Sequence, residues 1–166
     1  MMSRLIVPPP MIRGVTLLEL MLVLAIIGAA IAVSIPNIQS TVANTQSRKL
    51  SDDLQLDISF ARSQSVTLSD TVSVVPISNN WSTGWRVIQG SNELRSRGSL
   101  ANPIADNGTI TSGDYNTSIP ISFDRKGRAV NTGSVRILVN NCLGLNDRTI
   151  TISQIGQLIE TVATCP

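Results

Sequence analysis

An apolar run from Val15 to Ile35 carries one charge, Glu19, and is closed by Pro36. As a helix at 1.5 Å per residue it spans about 32 Å, enough to cross the hydrocarbon of a bilayer. An acid inside a span costs roughly 2.5–3.5 kcal/mol on insertion scales, so a retained acid points to function. Arg4 and Arg13 precede the run. A secretory signal peptide, with Ala30-Ile31-Ala32 as the cleavage site and Val33 as first mature residue, is one alternative. A plain signal anchor is another. The signal-peptide reading gives Glu19 no purpose.

The segment resembles the N-terminus of type IV prepilins and pseudopilins: a basic leader ending in Gly14, then Val15-Thr16-Leu17-Leu18-Glu19-Leu20, with Glu19 and Pro36 at the fifth and twenty-second mature positions. Val15 stands where Phe is usual, and the leader is long. The resemblance implies cleavage between Gly14 and Val15 by a prepilin peptidase that also methylates the new amine. It further implies that Glu19 pairs with the N-terminal amine of a neighbouring subunit, and that Pro36 marks a helix region that loosens on assembly.

The expected organisation is a leader over 1–14, a membrane and filament-core helix over 15–36, an amphipathic helix over 37–69 and a β-rich head over 70–166. Leu50, Leu54, Ile58, Ala61 and Ser65 fall at helical spacing and form one apolar-to-small stripe. Arg48, Lys49, Asp52, Asp53 and Asp57 are read as the solvated face. Strands are expected at 71–75, with Pro76 limiting the strand to an edge or an end, and at 85–88, 93–97, 119–123, 134–139, 149–152 and 158–162. Residues 99–118 read as loop. The fold class is α+β: a long N-terminal helix packed on an antiparallel sheet.

Removing the leader with Arg4 and Arg13 takes Lys+Arg from 13 to 11 against 11 acids. Nucleic-acid binders usually carry a basic surplus. The chain has no His, and no nucleophile motif or convincing acid pair, so neither an enzyme nor a cofactor is expected. Cys142 and Cys165 are the only cysteines. In an exported chain they are expected to pair; free thiols are the alternative, and a metal site lacks soft ligands. Trp81 and Trp85 are expected in core and turn packing, and Gly84, Gly127 and Gly156 in backbone turns.

Beyond the anchor, Phe60-Ala61-Arg62-Ser63-Gln64-Ser65, Trp81-x-x-Gly84-Trp85, Ile121-x-Phe123 and Arg148-x-Ile150-x-Ile152-x-x-x-Gly156 resemble the H-type pseudopilin and FimT/FimU group of minor pilins. That implies a minor pilin that helps initiate the pilus, placed in a bacterial inner membrane with a periplasmic head and then in the filament, at the tip. Its implied partners are other minor pilins, the major pilin, the peptidase and methylase, and the inner-membrane assembly platform. A type II secretion pseudopilin is the second reading. A DNA-binding pilin for transformation is the third. DNA-binding relatives carry a basic G-R-x-R type motif, where this chain has Gly156-Gln157-Leu158-Ile159-Glu160. DNA is therefore not an expected partner unless Arg125, Lys126, Arg128 and Arg148 come together as a substitute patch.

Overall fold

A computed structural model describes residues 14–105 and 107–166, the side chains of 32–37 excepted. The predicted leader as far as Arg13 lies outside the described residues. The chain divides into two compact units, Met1–Asn37 and Ile38–Pro166.

In the described part of the first unit, helix α1 (Leu17–Thr67) begins. Its backbone assignment continues through Pro36, whose side chain lies outside the described residues. Among the described residues no helix is long and apolar enough to cross a membrane. The predicted span ends at Ile35, so residues 32–35 of it lie beyond the described side chains.

The second unit holds the rest of α1 and eight strands: β1 Val72–Pro76, β2 Gly84–Gln89, β3 Asn92–Gly98, β4 Gly108–Thr111, β5 Ile121–Phe123, β6 Gly133–Val139, β7 Leu145–Ile152 and β8 Leu158–Thr164. They form two antiparallel four-stranded sheets, ordered β3-β2-β1-β5 and β4-β6-β7-β8. The expected helix on an antiparallel head is present, with the head divided between two sheets. Strand β4 falls inside the segment read as loop. Its Ile110 is buried, but with Gly108 and two threonines around it the apolar alternation is too short to read.

The α1 stripe is buried as its spacing predicts, with Leu54, Ile58, Ala61 and Ser65 at 0% exposure. It packs into one core with Trp81, Trp85, Ile121, Phe123, Ile137 and Ile150. Both tryptophans are core residues, as expected. Strand β1 lies inside its sheet, between β2 and β5. Pro76 is tolerated there because it ends the strand: β5 pairs only with Val72, Ser73 and Val74.

Candidate assembly interface

Gly14 and Val15 stand exposed ahead of α1. The helix starts with a side-chain cap: the Glu19 N–H donates to Thr16 Oγ1 at 3.2 Å. Thr16-x-x-Glu19 has the residue pattern of a capping box, in which the threonine satisfies an orphan N–H and the acid favours the positive end of the helix dipole. Glu19 thus has a local role that the sequence reading overlooked, although the spacing was legible.

From Leu20 to Leu24 five consecutive large apolar side chains are each more than 45% exposed, and Leu17, Leu18, Ile26, Ile27 and Ile31 are exposed as well. Five neighbours in a row occupy every face of a helix. A helix apolar on all sides is normally surrounded by lipid or by other helices.

In the second unit α1 is fixed to each sheet by a different set of polar contacts. Asp57 is fully buried. Its carboxylate accepts from Trp85 Nε1 at 2.9 Å, Arg95 Nη1 at 2.7 Å and Arg97 Nε at 2.8 Å. Asp53, one turn earlier, pairs with Arg97 at 3.0 Å. The Arg95 guanidinium also sits 4.2 Å from the Phe60 ring centroid, a cation–π contact. Burial alone would raise the Asp57 carboxyl; the donors from Arg97, Arg95 and Trp85 outweigh it and hold its pKa below the ordinary value.

This corrects the assignment of Asp57 to a solvated face. Asp57 lies three residues after Leu54 and four before Ala61, so its spacing already placed it in the buried stripe. Strand alternation carries Arg95 and Arg97 to one face of β3, with Arg97 opposite Trp85.

Toward the other sheet, Ser47 Oγ donates to the Asn146 carbonyl at 2.5 Å, and Ser51 Oγ donates to Glu160 at 2.6 Å. Near the C-terminal end of α1, Arg62 reaches across two turns, donating from Nε to the Gly127 carbonyl at 2.9 Å and from Nη2 to the Ile155 carbonyl at 3.1 Å. The turns meet so closely that a Cβ on Gly156, at φ +76°, would lie 2.4 Å from the Gly127 oxygen. A groove of about 640 Å³ opens beside them, lined by Arg62, Val66, Lys126 and Gln157 among others.

The candidate basic patch does not assemble. Asp124 Oδ1 accepts from the backbone N–H groups of Lys126 and Arg128, and its other oxygen accepts the Arg128 guanidinium. Arg125 and Lys126 are exposed on this turn. Arg148 is elsewhere, on β7, with its side chain 11% exposed and bonded to Glu160 at 2.7 Å. The physical reason is pairing: two of the four cations are committed to acids, and Arg148 faces the α1 side of its sheet, where Glu160 also meets Ser51.

Cys142 and Cys165 form a disulfide with a Cα–Cα distance of 5.9 Å, joining the turn before β7 to the end of β8.

Residues 50–156, more than half of the chain, match the family described as Type II transport protein GspH. The chain belongs to the GspH family. No curated protein sequence matches this GspH-family chain. Two crystal structures of the type IV minor pilin FimU from Pseudomonas aeruginosa strain PAO1 are similar to it in fold. One, in space group P65, aligns with a TM-score of 0.54 at 17% identity, covering 72% of this chain and 99% of that one. The other, in P21, aligns with a TM-score of 0.55 at 17% identity, covering 77% and 98%. The fold is that of a type IV pilin, and the family is a structural one of pilins and pseudopilins. The matched stretch begins at Leu50, in the buried stripe, and ends at Gly156, in the turn that Arg62 holds.

Proposed function

We propose that the chain is a minor type IV pilin, cleaved between Gly14 and Val15, methylated on the Val15 amine, anchored in the inner membrane by residues 15–36 and built into a pilus as one of its initiating subunits. The observation that carries this reading is the all-round apolar exposure of α1 from Leu17 to Ile31, with Glu19 as its single charge. Such a surface requires a lipid or helical surround, and one acid in it calls for one positive partner. The amine freed at Val15 supplies that charge, from a neighbouring subunit in the filament. Pro36 lacks an N–H and allows the helix to loosen there during the transfer.

The family description supports a second reading, a pseudopilin of a type II secretion system, which would use the same anchor and cleavage. The DNA-uptake reading has little support, since the four cations do not converge. The test is the mass and company of the protein purified from its native membrane. A chain of residues 15–166 with one added methyl group, co-purifying with pilus subunits, supports the minor pilin. The same mass with secretion components favours the pseudopilin. A chain starting at Val33 contradicts both.

A further inference from the structure

Four large apolar side chains remain exposed where the head begins: Ile38 and Val42 on α1, each 60% exposed, and Leu143 and Leu145, at 62% and 60%, at the turn before β7 and the start of β7. Ile38 and Val42 share a surface depression with Asn141. The Leu143 N–H donates to Asn44 Oδ1 at 3.0 Å, which holds the turn against the same stretch of helix. The helix and the turn therefore form one belt. No charged residue occurs from position 20 to 47, or from 137 to 146. Between the apolar residues lie amides and hydroxyls such as Gln39, Asn44 and Asn141.

We propose that this belt rests on the lipid surface, with Ile38, Val42, Leu143 and Leu145 reaching the acyl boundary and the amides meeting headgroups and water. The inference rests on the membrane-anchor reading. Ile38 follows the end of the apolar run at Ile35 by three residues, a reach of at most about 11 Å. Whatever holds Ile35 in the bilayer thus holds Ile38 near its surface. Apolar side chains set among uncharged polar groups suit that boundary, where one end of a contact is apolar and the other wet. Disulfide-linked Cys142 lies beside Leu143, and Cys165 N donates to the Gly144 carbonyl at 2.9 Å, so the turn is presented by a tied structure. In this account the disulfide also positions a membrane contact.

The test uses the full chain reconstituted in phosphatidylethanolamine and phosphatidylglycerol vesicles, with and without bromine distributed along the acyl chains, from near the headgroup to near the chain end. Four variants are compared with the parent, whose two tryptophans are buried: Leu143→Trp, Leu145→Trp, Ile27→Trp within the anchor, and Ile155→Trp at the turn beyond Arg62. The expected result is loss of the added emission in brominated lipid for positions 143, 145 and 27, and none for 155. Quenching at 27 without quenching at 143 and 145 overturns the belt and leaves the anchor standing. No quenching at 27 overturns the anchor reading itself. Emission at 143 that changes with protein density and not with bromine assigns the belt to a second copy of the chain, which also overturns the proposal.

Discussion

The indole N–H of Trp85 donates to Oδ2 of Asp57 over 2.9 Å, with both side chains at 0% exposure. A strand and the long helix are joined at this point by one buried carboxylate, which two arginines from the next strand neutralise. Removing the acid would leave the Arg95 guanidinium and the indole N–H without this acceptor, and Arg97 with Asp53 alone.

Asp57→Ala is therefore expected to destabilise the head by about 3 kcal/mol, the lower end for breaking a buried pair, because Arg95 and Arg97 keep some access to water. The urea midpoint of unfolding reads this, and the near-UV signal of Trp85 should change with it. Asp52→Ala, exposed on the preceding turn, is expected to stay within about 0.5 kcal/mol of the parent. Equal losses in the two variants would show that burial is not what makes Asp57 matter.

Acid should weaken the contacts of α1 with both sheets. Asp57 and Glu160 both have folded-state pKa values below their ordinary 3.8 and 4.5. In each, burial acts to raise the value and is outweighed by bonds, from Arg97, Arg95 and Trp85 to Asp57 and from Ser51 and Arg148 to Glu160. A group depressed on folding contributes stability that is complete above its unfolded pKa and is lost as pH falls through the folded one. The urea midpoint should thus be insensitive to these groups at neutral pH and fall once the pH drops below about 4. Asp57→Asn should be less stable at neutral pH and show a shallower acid limb. A steeper acid limb in the variant would contradict the assignment.

The helix stripe, the strand alternation and the turn glycines were legible because each follows a local period or a local backbone rule, and the cysteine pair because the chain has only two cysteines. Asp57 was misread because a carboxylate at a stripe position is only explained by donors 28 to 40 residues away, on β2 and β3. The division of the head into two sheets, and the short β4 around Ile110, depend on long-range pairing that no local pattern announces. The basic patch failed for a related reason: Arg128 is taken by Asp124 within one turn, and Arg148 by Glu160 from the next strand.

Cys142 and Cys165 are separated by 23 positions, and the chain-entropy cost of freeing such a loop is about 3 kcal/mol. Reduction, or Cys142→Ala with Cys165→Ala, should lower the thermal midpoint accordingly. An unchanged midpoint after verified reduction would mean that β8 is held without it.

Gly156→Ala places a Cβ against the Gly127 carbonyl and the Arg62 side chain at a positive φ. The expected loss is about 2 kcal/mol, from backbone strain and the displaced contact together. Gly90→Ala, at φ +58° with nothing within 4 Å, carries only the backbone share and should lose less. Thermal unfolding of the two variants side by side separates steric from conformational cost.

The proposed assembly role rests most directly on Glu19. The decisive measurement is the amount of Glu19→Ala protein recovered in sheared filaments relative to the membrane, alongside its intact mass. The expected result is a chain cleaved after Gly14 that stays in the membrane and is largely missing from filaments. Normal incorporation of the variant would contradict it.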